Sequence, residues 1–131
     1  METLEVRTSQ RTELVDISAE VSAAVARRGV REGMAYVYCP HTTAAITINE
    51  NADPTVKSDF LNHLATLVPV RSEFRHAEGN SDAHIKSILT GACQPIPVSD
   101  GKLVLGTWQG IFFCEYDGPR RRRVHVKVLS G

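Results

Sequence analysis

Three of the five histidines lie in the two most polar stretches of the chain. His41 sits in Cys39-Pro40-His41-Thr42-Thr43, and His76 and His84 bracket Ala77-Glu78-Gly79-Asn80-Ser81-Asp82-Ala83. Neutral imidazoles are common metal ligands, and three protein ligands with one open position is the usual catalytic zinc arrangement. The spacing matches no established zinc signature. Clustering alone makes His41, His76 and His84 candidate ligands for a divalent metal, zinc in first place and magnesium in second. His84 falls in the first turn of a predicted helix, away from its apolar stripe, and has no evident core role. His125 lies beside Arg123 and Lys127 on a polar strand face, and His63 lies at the edge of a helix stripe; neither is assigned a role.

Other polar groups surround these histidines in sequence. A strand over 44–49, carried back to His41, would put His41, Thr43, Thr47 and Asn49 on one face. Ala44, Ile46 and Ile48 would take the other. Such a strand suits a pocket wall, although the threonines alone are as well explained as solvated strand formers. Glu50, between Asn49 and Asn51, can act as a general base or bind a cation. Turn and cap chemistry accounts for Asp53 and can account for Asn51. The backbone N–H groups at a helix start near Asn80 and Ser81 form a ready anion site. In Gly106-Thr107-Trp108-Gln109-Gly110, Trp108 can stack a flat heterocycle or pack in a core or interface. Gln109 shares a strand face with Glu115. Arg120 opens a run of four arginines after Asp117-Gly118-Pro119, and its fork can pair phosphate oxygens. As a solvated face the run needs no function.

The elements that must position these groups follow from periodicity. Alternation predicts strands over 3–8 and 13–17. Ser18 is expected to cap a helix to Arg28, with Val21, Ala24 and Val25 on one face and Gly29 as its stop. Strands follow at 34–39 and 44–49. Asp53 caps the next helix, with Pro54 in its first position. Val56, Phe60, Leu64, Leu67 and Val68 form the expected buried stripe, and Pro69 ends it. Residues 71–80 read as loop. Ser81 is expected to cap a short helix with Ile85, Ile88 and Leu89 as its inward stripe and Gly91 as its end. Strands at 96–98, 102–105, 109–116 and 122–129 complete the chain. Asp117-Gly118 is expected to join the last two as a hairpin. The class is α+β, with largely antiparallel, sandwich-like sheets and about three flanking helices in one domain over 1–131.

The bulk numbers narrow the function. At 131 residues, 42% apolar and 23% charged, the chain has an ordinary globular composition. A domain of this size buries roughly two-thirds of the surface its unfolded chain exposes. Fifteen basic side chains balance fifteen acidic ones. Zero net charge gives no general attraction to nucleic acid or anionic membrane, and neither is expected as a partner. No apolar run approaches the roughly 18 residues that span a bilayer. Glu2, Glu5 and Arg7 interrupt the N-terminal segment, so no secretory leader is expected. Cys39, Cys93 and Cys114 are odd in number and lack Cys-x-x-Cys spacing, which points to reduced thiols and a cytoplasmic location.

Four blocks stand together: His41-Thr-Thr-Ala-Ala-Ile-Thr-Ile-Asn-Glu50, His76-x-Glu-Gly-Asn-Ser-Asp-Ala-His84, Leu105-Gly-Thr-Trp-Gln-Gly110 and Asp117-Gly-Pro-Arg120. In order and spacing they resemble the signature blocks of the YjbQ-like family, over nearly the whole chain. The resemblance implies a compact antiparallel sheet fold with flanking helices, assembled as a homotrimer. It also implies the activity of a secondary thiamine-phosphate synthase. Such a transferase joins a pyrimidine methyl pyrophosphate to a thiazole phosphate and releases pyrophosphate. Combined with the residue reading, this gives His41, His76 and His84 to a metal. Glu50, Glu78, Asn49 and Gln109 become catalytic candidates. Thr42, Thr43, Asn80, Ser81, Trp108 and Arg120 become ligand-binding candidates. The same residues suit two other functions: a metal-dependent hydrolase or lyase acting on a small phosphorylated or heterocyclic molecule, and a non-catalytic trimer that holds a small ligand or metal.

Overall fold

The computed structural model describes residues 1–131. Eight strands and three helices run in the order β1 (Glu2–Arg7), β2 (Glu13–Asp16), α1 (Ser18–Arg28), β3 (Gly33–Tyr38), β4 (Ala44–Glu50), α2 (Pro54–Leu67), α3 (Ser81–Thr90), β5 (Cys93–Ser99), β6 (Lys102–Leu103), β7 (Gln109–Glu115) and β8 (Arg121–Ser130). The strands form a five-stranded sheet in the order β1-β8-β3-β5-β6 and a three-stranded sheet in the order β2-β7-β4. Every pairing is antiparallel. The α+β class expected from the sequence is the observed one. No helix is long and apolar enough to cross a membrane.

The two sheets face each other across one core. Val37, Ile96, Val124 and Val126 of the larger sheet meet Ala44, Ile46, Ile111 and Phe113 of the smaller. Val21, Ala24 and Val25 of α1 join the same core. Each valine, isoleucine or phenylalanine among them contributes roughly 1.5–3 kcal/mol by leaving water. The far face of the smaller sheet carries Ala45, Cys114 and Tyr116, which pack under Leu64, Val68 and Ala83 from the helical layer. β7 is therefore apolar on both faces, which is why it reads as a run rather than an alternation.

Several local expectations hold. Gly29 ends α1 in the left-handed region at φ 68°. Asp53 caps α2 by accepting from the Thr55 N–H at 2.9 Å, with Pro54 in the first position. Others are corrected. Ser18 and Ser81 are first helical residues rather than caps: the residue before each helix is Ile17 or Asn80, and neither makes a side-chain cap bond. The Ser18 hydroxyl instead accepts from the Ile111 N–H. β6 stops at Leu103, and β4 starts at Ala44 without reaching His41. Asp117-Gly118 does not form a hairpin, because β7 and β8 belong to different sheets. Each is a central strand with two partners of its own, so the turn carries the chain between layers.

The helix stripes were the least legible. On α2 only Leu64 of the expected helical stripe is buried, with Val68 just beyond the last turn; Val56, Phe60 and Leu67 are exposed. On α3 the inward residues are Asp82, Ala83, Lys86 and Ser87, while Ile88 and Leu89 face outward. Polar anchors set this orientation. Asp82 takes Arg11 and Lys86, and the Ser87 hydroxyl donates to the Ala44 carbonyl at 2.6 Å. A buried, paired ion network left half-satisfied would cost more than exposing two aliphatic side chains.

Candidate functional site

Three chain segments converge at one end of the smaller sheet: the 40–43 loop after β3, the 76–84 stretch that leads into α3, and the 117–122 turn that leads into β8. They enclose an open cleft of about 380 Å³ with no hydrophobic residue in its lining. His41, His76 and His84 all line it, as do Thr42, Thr43, Glu78, Asn80 and Arg120. A second open cleft runs on past His41, Thr42 and His84 toward Ile88 and Gly91. The sequence clusters around the three histidines therefore do meet.

His41 is held from two sides. Its Nε2 accepts from the Arg123 backbone N–H at 2.9 Å, and its ring stands edge-on to Phe113 with centroids 6.4 Å apart. Burial, reinforced by the Arg122 guanidinium, pushes its pKa below the ordinary histidine value. The neutral ring with Nε2 accepting must carry its proton on Nδ1. Opposite, the His76 and His84 rings lie perpendicular with centroids 5.1 Å apart. Glu78 Oε2 stands 3.9 Å from His76 Nε2.

A zinc ion shared by two imidazoles at about 2.1 Å holds their ring centres roughly 5 Å apart, so the separation of His76 and His84 matches a shared ion. The third histidine does not complete the set. Its Nε2 lone pair is spent on Arg123, and moving the proton to Nε2 would set two N–H donors against each other. No three His, Cys, Asp or Glu side chains are grouped to hold a metal ion. The expected three-histidine centre does not fit this arrangement of the chain.

Buried charges that sequence reasoning missed lie behind the cleft, and Arg122 alone of them reaches its lining. Glu115 is fully buried and Arg122 is 3% exposed. Glu115 accepts from Thr8 Oγ1 at 2.7 Å, Arg122 Nε at 2.9 Å and the Asp117 N–H at 3.0 Å, and it pairs with Arg122 Nη2 as well. Arg122 Nη2 also donates to Thr43 Oγ1 at 2.9 Å. Burial raises the Glu115 pKa, but the bonds from Arg122, Thr8 and Asp117 outweigh it and hold the carboxyl below its ordinary range. Beside this pair, Asp82 receives Arg11 bidentately at 3.1 Å and Lys86 at 3.2 Å. Arg122 was findable, since it alternates with Val124 and Val126 on the inward face of β8. Asp82 and Lys86 were findable as an i, i+4 pair. Glu115 gave only the signal of a lone acid at the end of an apolar run.

Asp117 links these groups to the cleft. Its Oδ2 accepts from Asn80 Nδ2 at 2.7 Å and from Arg120 Nη2 at 3.1 Å, and Arg120 Nε reaches its carbonyl at 3.0 Å. Gly118 must be glycine here, because a Cβ would lie 2.4 Å from the Gln10 carbonyl oxygen. The buried thiols supply no nucleophile: burial pushes Cys114 up to about 12 and raises Cys39 as well.

The remaining predicted residues lie elsewhere. Asn49 and Glu50 end β4, six and seven residues beyond Thr43, or roughly 20–23 Å at about 3.3 Å per residue. They flank a separate cavity of about 210 Å³, between the smaller sheet and α2, with Leu14, Thr47, Phe60 and Phe112. Asn49 Oδ1 accepts from the Glu50 N–H and Glu50 from the Ala52 N–H, as turn chemistry requires. Gln109 pairs across from Glu50, and its side-chain oxygen accepts from the Gly106 N–H. Trp108 is 63% exposed in that turn. Within one chain, Glu50, Asn49, Gln109 and Trp108 do not reach the histidine cleft. Ser81 opens α3 beside it.

Two facing antiparallel sheets, helices over the smaller one and a polar, histidine-lined cleft at the strand ends define an α+β sandwich protein with a candidate small-molecule site. The family model described as UPF0047 protein YjbQ-like matches residues 2–131. The chain belongs to this family. It is 56% identical to the UPF0047 protein MJ1081 of Methanocaldococcus jannaschii, over 96% of this chain and 91% of that protein. It is 51% identical to the UPF0047 protein YugU of Bacillus subtilis, over 99% of both. A crystal structure of a YjbQ/UPF0047 family protein from Clostridium acetobutylicum superposes with a TM-score of 0.96 at 51% identity, covering 98% of this chain and all of that one. A YbjQ-like protein from Sulfolobus solfataricus gives 0.95 at 34% identity, covering 99% and 96%.

Proposed function

We propose that this protein is a transferase of small phosphorylated molecules, of the secondary thiamine-phosphate synthase type. The observation that carries this is one polar cleft holding an arginine, an uncapped helix start and two adjacent imidazoles. Arg120 and the Ser81 and Asp82 N–H groups that open α3 bind the pyrophosphate of the pyrimidine substrate. The thiazole ring nitrogen attacks the methylene carbon, the carbon–oxygen bond breaks, and pyrophosphate leaves with the electron pair. His76 or His84 donates a proton to the leaving group, with Glu78 3.9 Å from the His76 ring to receive the substrate's remaining donors. No step passes through a metal. The assembly is a homotrimer in the cytoplasm. Exposed Phe60, Leu67, Ile88, Leu89 and Trp108 support self-association, and three free cysteines support a reducing compartment.

A non-catalytic ligand carrier is the second candidate. It is favoured by the distance of Glu50, Gln109 and Trp108 from the histidines, which leaves the cleft without the expected base and stacking ring. The test incubates wild type, His84→Ala and Arg120→Ala with the pyrimidine methyl pyrophosphate and the thiazole phosphate. Coupled product from wild type, lost in both folded variants, supports the transferase. Pyrophosphate release without coupled product supports a hydrolase instead. Saturable binding of either substrate with no turnover supports the carrier.

A further inference from the structure

We propose that a second copy of this chain completes the histidine cleft, seating its Trp108 turn against Ile88 and bringing its Glu50 toward the imidazoles. This rests on the cleft being the ligand site, as argued above. Within one chain the cleft stays open on its α3 side. Its continuation, about 450 Å³, runs past His41, His84 and Ile88 over a floor of Gly91 and Ala92. Ile88 is 80% exposed there, beside Leu89 at 62%. Small residues below and an aliphatic side chain at the edge make a flat notch wide enough for an indole.

The opposite end of the β4–β7 pair presents one. Trp108 is the sole tryptophan, is 63% exposed and joins neither core cluster of its own chain. Its turn is nonetheless tied down. The Gly106 N–H donates to Gln109 Oε1 at 2.7 Å, the Gln109 N–H to the Gly106 carbonyl at 3.0 Å, and the Asn51 N–H to the Trp108 carbonyl at 2.9 Å. A pre-ordered, exposed aromatic is the usual anchor of an interface, since little freedom is left to lose on docking. Trp108 precedes Gln109, which pairs with Glu50, roughly 20–23 Å along the strands from Thr43. One chain cannot bring its two ends together, whereas a neighbour can. The contact joins unlike surfaces, so it repeats head to tail in a closed ring rather than as a two-fold pair. Charge favours it: Glu50 and Asp53 flank the turn, Lys57 is drawn over the Phe112 ring, and the cleft carries Arg120. Covering the indole, Ile88 and Leu89 removes on the order of 400 Å² of apolar surface, about half of one side of a standard interface. The docked copy supplies the stacking ring and the carboxylate that one chain lacks.

The test reads docking without turnover. Ile88→Asp charges a side chain that is already exposed, so the fold is retained. Wild type is expected to sediment as a closed oligomer with blue-shifted Trp108 emission, and Ile88→Asp as a folded monomer with the emission of a solvated indole. Inorganic pyrophosphate, its binding followed by calorimetry, is expected to perturb that emission in wild type. Contact is mapped with a short bis-maleimide in Cys93→Ser protein, which lacks the one exposed thiol. Ile88→Cys and Trp108→Cys are expected to cross-link when mixed and reassembled, and neither to cross-link alone. A monomeric wild type at micromolar concentration, unchanged emission in Ile88→Asp, links within either single variant, no link in the mixture, or pyrophosphate binding without a change in emission overturns the shared site. Each of these leaves the anion-binding cleft standing. No pyrophosphate binding by protein that carries the 88–108 link overturns the anion reading and leaves the docking.

Discussion

Arg122→Met removes the cation from the buried pair under the cleft. Glu115 is fully buried and Arg122 is 3% exposed, so the carboxylate left behind has no route to water. It keeps Thr8 Oγ1 and the Asp117 N–H and loses both guanidinium bonds. Breaking a buried pair from one side costs about 3–5 kcal/mol. At a urea slope of about 2 kcal/mol/M, the midpoint falls by roughly 2 M. Equilibrium unfolding at fixed protein concentration measures it, since self-association would otherwise shift the midpoint. The pH dependence has a definite sign. In wild type the Glu115 pKa is lowered from 4.5, so the pair's stabilisation is present above that value and is lost as pH falls through the lower folded value. In the variant, burial without Arg122 raises the same pKa, so protonation relieves the strain as pH falls. The difference between the two proteins must therefore shrink between pH 7 and pH 3. A cost under 1 kcal/mol at pH 7, or a gap that widens in acid, would refute the reasoning.

Two further outcomes follow from the geometry. Asp82→Asn strands Lys86, whose side chain is 5% exposed, and releases Arg11; it is expected to cost about 3 kcal/mol and roughly 10 °C in thermal midpoint, read by circular dichroism. Zinc titrated into the protein is expected to bind through His76 and His84, so that affinity is lost in His76→Ala and His84→Ala and kept in His41→Ala; equal loss in all three variants would reinstate a three-histidine centre.

Much was decided by local chemistry and is readable without coordinates. Gly29, Asp53-Pro54 and Gly91 mark helix ends because caps and left-handed stops act within a few residues. Strand alternation fixed which of Ala44, Ile46 and Ile48 face the core. The polar clusters at 41–43, 76–84 and 117–120 announced a site, since so many hydrogen-bonding groups outside the core stripes need an explanation. Tertiary structure decided what they do together. It sent β7 and β8 into different sheets, turned α3 onto Asp82 and Lys86 instead of Ile88 and Leu89, and parted Glu50, Asn49 and Gln109 from the histidines by the length of the β4–β7 pair. It also spent His41 on Arg123 and left Asn80 Oδ1 free. Periodicity reports which side chains are apolar. It does not report which buried charges find partners, and the cost of leaving a charge unpaired outweighs that of exposing a methyl group.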